Sequence, residues 1–479
     1  MRDAATGCSI WVRMRTRALV PFVLATHLIA STPLPNDYVA GSLIRLNDNG
    51  AWSWFMDERA IVHDGKLIVG SVRAVGDFKN DSAPGWGNVE LAVYDLAAGE
   101  VRQTVLHPHF EQDDHDGPAL MVLPDGRYLA VYTKHAIERR VYWRISEPRN
   151  PLAWGQVSEL ETPGQDAAAF TSRGNNTTYS NLFRLPSGRI YNFFRGVDHD
   201  PNYMYSDDDG RTWRYGGRLL HGRDGYSPYL KYASDGSGSI HFIVTEDHPR
   251  NFDNSIYHGV IREGRVHMSD GSVRGTLSQT TETELRAWDF TKVFQGDPDN
   301  VAWVIDLELD AQARPYAVFS VQKDGRGLPP RQGGMDHRFH YARWDGAMWR
   351  TTEIAYAGTR LYPFEDDYTG LAALDPKDPA VVYISTDADP VTGAPLVSKA
   401  DGRRHRELYR GHSGDGGRTW TWQPLTAHST ADNLRPLVPK WQDPRTALIW
   451  MRGTYVHNRG EWTTAVVALI LPPPAAINH

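Results

Sequence analysis

From residue 60 onward the chain alternates short β-rich runs with polar turns. The clearest runs are Lys66–Gly70, Arg127–Thr133, Arg189–Arg195, Ser239–Thr245, Pro315–Ser320, Ala380–Ser385 and Thr446–Met451. Each follows a turn rich in Asp, Gly or Pro, such as His63-Asp64-Gly65, Pro124-Asp125-Gly126 or Asp443-Pro444-Arg445. Val, Ile, Tyr and Phe suit a pleated strand, and the turn residues reverse the chain tightly. The runs start at 66, 127, 189, 239, 315, 380 and 446. A repeat of about sixty residues has room for one four-stranded sheet and its loops, which signals a propeller or a solenoid. Sustained helical periodicity is scarce. The pattern predicts an all-β chain forming a seven-bladed β-propeller, a single domain over 33–479, with the seven runs as inner strands. Radial closure leaves only short, protected sheet edges.

A second repeat agrees. Ser206-Asp207-Asp208-Asp209-Gly210-Arg211-Thr212-Trp213 and Ser413-Gly414-Asp415-Gly416-Gly417-Arg418-Thr419-Trp420 fit the Asp-box pattern, and Arg343–Trp349 is a degenerate copy. Asp and Gly form the hairpin while Trp packs between neighbouring sheets, so these residues are structural.

Composition narrows the function. The 479 residues carry a formal net charge of -7, which gives no basic footprint for nucleic acid. A local Arg/His cluster can still hold an acidic ligand. The only cysteine, Cys8, rules out an internal disulfide and a Cys-rich metal motif. Met14-Arg15-Thr16-Arg17 precedes a short apolar run, Ala18–Ala30, that ends in small residues. Residues 1–32 therefore read as a signal peptide or a disordered N-terminus, and the protein as secreted or periplasmic. No other stretch is long and apolar enough for a membrane span. A monomer is expected.

Reactive groups recur near the ends of successive runs. They are His115 in Asp113-Asp114-His115-Asp116-Gly117-Pro118-Ala119, His135 after Tyr132-Thr133-Lys134, and Tyr179 in Thr178-Tyr179-Ser180-Asn181-Leu182. Arg195, Tyr229 and His248 follow, with Tyr226 and Tyr232 competing for the place of Tyr229. Equivalent positions in adjacent blades converge in space. Glycoside hydrolysis ordinarily uses two carboxylates. Asp113, Asp114, Asp116 and Glu246 are available, but no pair stands out. β-Elimination on a uronate suits the set better. Removing the C5 proton builds charge on the carboxylate, which an Arg with Tyr or His donors stabilises. A Tyr or His takes the proton, and a Tyr protonates the leaving oxygen.

These segments resemble the seven-bladed propeller ulvan lyases (polysaccharide lyase families 24 and 25) and related rhamnose–glucuronate lyases. The likeness rests on Asp114–Ala119, His135, Thr178–Leu182, Phe194-Arg195, Pro228–Tyr232 and Asp247-His248-Pro249. It implies an acidic polysaccharide substrate cleaved at rhamnosyl-(1,4)-uronate linkages. It implies that His115 and Tyr179 are the base/acid pair, that Arg195 neutralises the carboxylate, and that His135, Tyr229 and His248 complete the sugar site. No cofactor is required. Some family members hold a metal ion, and Asp297, Asp299, Asn300, Asp306, Asp336 and His337 offer ligand atoms, although an Asp/Asn turn explains the first three. The metal is left unassigned. The alternatives are an exo-acting rhamnose–glucuronate lyase on gum arabic or arabinogalactan-type glycans, a sialidase-like hydrolase, and a non-catalytic glycan-binding propeller.

Overall fold

The computed structural model describes residues 34–164, 174–222, 227–329 and 331–473. The expected signal segment, Cys8 and Tyr226 lie outside them. Seven antiparallel sheets follow one another along the chain. Blade I holds Ala60–His63, Lys66–Val72, Val89–Asp95 and Val101–His107. Blade II holds Ala119–Val122, Tyr128–Tyr132 and Arg140–Glu147, with Asn150–Trp154 and Ser158–Glu161 both pairing on its third strand. Blade III holds Thr178–Arg184, Ile190–Arg195, Pro201–Ser206 and Arg214–Arg218. Blade IV holds Leu230–Ser234, Ser239–Val244 and Ile256–Arg262, with an outer edge split among Arg265–His267, Val273–Thr276 and Thr291–Phe294. Blade V holds Val301–Leu309, Pro315–Gln322, His337–Trp344 and Trp349–Gly358. Blade VI holds Ala372–Leu374, Val381–Thr386, Glu407–His412 and Thr421–Pro424. Blade VII joins Asp432–Leu437, Thr446–His457 and Glu461–Leu471 to Ile44–Arg45 from the start of the domain. Ile44 pairs with Ala468 and Arg45 with Val467, so the two ends of the chain share the last sheet. That pairing closes the ring.

The seven predicted runs are all strands, but one expectation needs correcting. Each run is the second strand of its blade; the innermost strand is the one before it. The first strands of neighbouring blades pack on one another around the axis. They are harder to see in the sequence because they mix polar residues into the channel, as in Leu230-Lys231-Tyr232-Ala233-Ser234. The Asp-, Gly- and Pro-rich turns join first to second strands, so they all emerge at one end. The loops between second and third strands, and those between blades, emerge at the other.

The turns read as Asp-boxes share one hydrogen-bond scheme. Asp208 accepts from the Thr212 hydroxyl at 2.7 Å and from Ser206 at 2.8 Å, and Asp415 does the same with Thr419 and Ser413 at 2.8 and 2.9 Å. Trp213 and Trp420 donate to the Gly210 and Gly417 carbonyls, both at 3.1 Å.

The channel is filled by a segment that strand patterning did not anticipate. Trp52, Trp54, Phe55 and Met56 are buried there. Four blades hold this segment through its backbone or a ring. Asn181 donates to the Phe55 carbonyl, Lys231 to the Trp54 carbonyl and Arg435 to the Trp52 carbonyl, while the Trp54 indole donates to the Val304 carbonyl at 3.0 Å. Buried backbone carbonyls need such partners, and side chains from several sheets supply them.

Candidate active site

His115, His135, Tyr179, Arg195, Tyr229 and His248 all fall at the end of the propeller that carries the second-to-third-strand and inter-blade loops. The loop entering blade II forms a short 3-10 turn, Asp114–Asp116, capped by Asp113, whose side chain accepts from the His115 N–H. Asp113 also holds two imidazoles at once. Its Oδ1 lies 2.6 Å from His115 Nδ1 and its Oδ2 lies 2.8 Å from His135 Nδ1. The two rings stack with centroids 3.7 Å apart and planes within 9°. One carboxylate thus occupies the Nδ1 atom of both rings and leaves Nε2 of each for other work.

The two histidines do not share charge equally. Burial opposes a positive His115, but Asp113 and Asp114 outweigh it and push His115 up to about 9. Asp114 Oδ1 stands 2.8 Å from the same Nδ1. Burial, with repulsion from charged His115, overcomes the attraction of Asp113 and brings His135 down to about 4. At neutral pH His115 is an imidazolium and His135 a neutral imidazole. Burial also opposes ionised Asp113, yet the two histidines hold it below the ordinary carboxylate range.

Asp114 is anchored from across the ring. Arg435 and the Tyr455 hydroxyl, both from blade VII, reach its Oδ2, the latter at 2.6 Å. Arg435 and Asp114 are fully buried. Burial alone would raise Asp114, but Arg435 and His115 lower it. The lowered carboxyl contributes stability above the ordinary carboxylate range and loses it as the pH falls below about 4. Arg435→Met removes the guanidinium that balances this buried carboxylate and leaves it only Tyr455 and His115 as partners. We expect a loss of about 3–5 kcal/mol, read as a shift in the chemical denaturation midpoint at neutral pH.

Tyr179 faces this pair, its ring 5.5 Å from that of His115. Its backbone φ is +71°, in the left-handed region, and the pairing of Thr178–Arg184 with Ile190–Arg195 is irregular between Thr178 and Asn181. A tyrosine rarely adopts that conformation, and such bulges re-aim side chains near sites. Asn181 fixes the irregularity: its N–H donates to Asn192 and its amide to the Phe55 and Phe193 carbonyls. Burial raises the Tyr179 phenol well above its ordinary value despite the nearby Arg195.

Arg195 ends the second strand of blade III. It donates to the Tyr229 hydroxyl at 3.2 Å and to the Thr178 hydroxyl at 3.3 Å, and its guanidinium lies 4.9 Å from the Tyr179 ring centre. Its Nε has no partner. His248 packs edge-on to Tyr229 at 5.4 Å, with Nδ1 3.3 Å from Asp367 of the loop before blade VI. Burial holds His248 well below its ordinary value, so it is neutral. Phe55 of the channel segment touches both tyrosines, at 5.3 and 4.9 Å. His115, His135, Tyr179, Arg195, Tyr229 and His248 therefore form one cluster across blades II to IV. Tyr232 instead packs on Phe193 inside the blade III–IV core.

Sequence reasoning missed several supports. Asp113 was visible only as one carboxylate among several, and its grip on two rings needs coordinates. Arg435, Tyr455 and Phe55 come from distant parts of the chain. His199, four residues after Arg195, is brought down to about 3 by burial and by the nearby Arg195 and His135 charges. Its spacing was the one signal that could have drawn attention to it.

The proposed ligand atoms for a metal do not converge. Asp297 accepts from the Asp299 N–H and the Asn300 amide, as the turn reading expected. Asp306 accepts from the Leu374 N–H inside the core, and Asp336 pairs with Arg338. Other His/Asp/Glu groups do lie close together among the described residues. In one, Asp113 already engages both imidazoles; in another, Asp198 and Asp200 are taken by Arg218. These two sets do not fit a cation as they stand; in the third, His248, Glu365 and Asp367, Glu365 is taken by Arg250 while both Asp367 oxygens and His248 Nε2 lack a hydrogen-bond partner among the described residues.

The catalytic alternatives needing two free carboxylates lose support from the same contacts. Asp113 and Asp114 are engaged as described. Asp116 is fully buried, and burial raises it well above its ordinary value. Glu246 accepts from the Tyr257 hydroxyl and the Ser255 N–H, both at 2.8 Å.

Comparison with solved structures finds the same architecture. A PL25 ulvan lyase bound to -[GlcA(1-4)Rha3S]- superposes with a TM-score of 0.62 at 15% identity, over 90% of this chain and 96% of that one. The polysaccharide lyase Uly1 gives a TM-score of 0.56 at 11% identity, over 91% and 100%. At these identities the likeness is one of fold. No curated protein matches the chain. The sequence model of the BNR repeat-containing family matches residues 82–357, more than half of the chain, and the protein belongs to that family.

Proposed function

We propose that the protein is a polysaccharide lyase that cleaves rhamnosyl-(1,4)-uronate linkages of an ulvan-type glycan by β-elimination. The observation that carries this reading is the placing of Arg195 between two phenols and beside the stacked histidines. A uronate carboxylate binding Arg195 would find Tyr229 on one side and Tyr179 on the other. Arg195, Tyr229 and neutral His248 would hold the carboxylate as the C5 proton leaves. The resemblance implied His115 as the base, but His115 is charged at neutral pH, so the base role would pass to the neutral member of the stacked pair: His135 would take that proton through Nε2, while His115 steadies the developing anion. Tyr179 keeps its proton because burial disfavours the phenolate, so it would donate to the leaving oxygen. The C5–H bond breaks, its electron pair forms the C4–C5 double bond, and the C4–O bond breaks. No step needs a cofactor. The fold shared with the PL25 ulvan lyase and with the polysaccharide lyase Uly1 supports the substrate class.

The test is to incubate the protein with ulvan and follow ultraviolet absorbance of the conjugated unsaturated uronate. Absorbance rising with each new chain end supports elimination; reducing ends without absorbance mean hydrolysis, and neither means binding alone. The pH profile of kcat/KM adds a second check. Activity should fall below about 4, where His135 becomes protonated and can no longer accept a proton. It should fall again above about 9, where His115 loses its charge. A plateau between those limits is expected for the free enzyme.

A further inference from the structure

Most wedges between blades are closed by tryptophan at the end opposite the candidate active site. Trp154 of blade II packs into the cluster shared with blade I. Trp213 of blade III meets Trp143 of blade II at 6.3 Å, Trp349 of blade V meets His258 of blade IV at 5.1 Å, and Trp420 of blade VI meets Tyr341 of blade V at 5.2 Å. Blade IV has no such residue. Its third strand ends in the tight turn Glu263-Gly264, with Gly264 at a φ of +69°, and the next strand, Arg265–His267, brings no tryptophan; Trp288, further along the outer edge, is exposed and does not line the wedge. A cavity of about 630 Å³ opens between blades III and IV as a result. That volume suits a small ligand.

The walls are of an unusual kind for a packing defect. Tyr191, Tyr203, Tyr205 and Tyr215 of blade III all line the cavity. The Tyr203 ring lies so close to Gly216 that a Cβ there would sit 2.0 Å from it, so this strand needs glycine to keep the ring in place. Arg189 stacks on Tyr205, its guanidinium 4.3 Å from the ring centre, and holds Asp207 through two bonds of 2.7 and 3.0 Å. Glu263 and Gln279 face these groups from blade IV. By contrast, Tyr383 is the one aromatic lining the cavity between blades VI and VII. Flat apolar faces edged by planar donors and acceptors match a sugar ring, whose axial C–H face is apolar and whose hydroxyls lie at its rim.

We propose that the wedge between blades III and IV is a second carbohydrate-binding site, which takes a pyranose of the polysaccharide at the end opposite the candidate active site. It would hold the enzyme on its polymer while another stretch is cleaved. Only the choice of polysaccharide rests on the proposed function.

The test is native electrophoresis through gels containing ulvan, using Arg195→Ala so that the matrix survives. This variant should be retarded relative to a gel without glycan. Adding Tyr205→Ala, or Ser187→Trp to fill the mouth, should weaken retardation about three- to tenfold, the worth of one aromatic contact. Both changed residues are at least partly exposed, and far-ultraviolet circular dichroism checks the fold. Turnover of short oligosaccharides by Tyr205→Ala in the otherwise wild-type chain should be unchanged. Retardation equal in all variants, or absent throughout, overturns the proposal. Retardation lost only in the wedge variants, in a protein that yields no unsaturated product, upholds the wedge and removes the lyase reading instead.

Discussion

Replacing Tyr179 by Phe should lower kcat on ulvan by about 10²–10⁴-fold with little change in KM, as expected for loss of a general acid. The ring contacts to Phe55 and His115 survive in the variant, so the fold should be kept. What disappears is the proton for the leaving oxygen. The unusual backbone of Tyr179 makes the test sharp. Strain of this kind costs about 1–3 kcal/mol and persists only where surrounding bonds enforce it. Asn181 and its three partners supply that enforcement. Steady-state rates by ultraviolet absorbance decide the matter; a Phe variant with normal kcat would remove Tyr179 from the reaction.

Arg195→Ala should cost about 10²–10³-fold in kcat/KM, the range for losing one donor to a developing anion. Arg195→Lys should recover little. A lysine is a single point of charge, whereas the guanidinium meets Thr178 and Tyr229 through two different nitrogens and lies against the Tyr179 ring. The informative comparison uses an oligosaccharide whose uronate is reduced to the neutral sugar. If Arg195 neutralises the carboxylate, wild type and Arg195→Ala should discriminate between acidic and neutral substrates very differently. Equal discrimination would assign Arg195 to packing.

Some of this was legible in the chain alone. Short β-rich runs with Asp/Gly/Pro turns report local geometry, because strand and turn preferences act over a few residues. Seven units, their order and the two Ser-x-Asp-x-Gly-x-Thr-Trp turns followed from that. So did the convergence of His115, His135, Tyr179, Arg195, Tyr229 and His248, since equal positions in successive blades meet near one axis.

The rest depended on contacts between residues far apart in sequence. The innermost strands carry polar residues into the channel, and only burial against neighbouring blades makes Lys231 or Thr178 an interior residue. The segment around Phe55 has no strand pattern; it is held by side chains from three sheets and a backbone carbonyl of a fourth. Which histidine carries the proton is decided by Asp113, Asp114 and depth in the protein, and the Asp114 charge is balanced by Arg435, 321 positions away. Composition and spacing therefore determined the wheel and the reactive groups it gathers. Only the closed ring, by removing water and fixing each charge beside its partner, decided the state in which those groups meet a substrate.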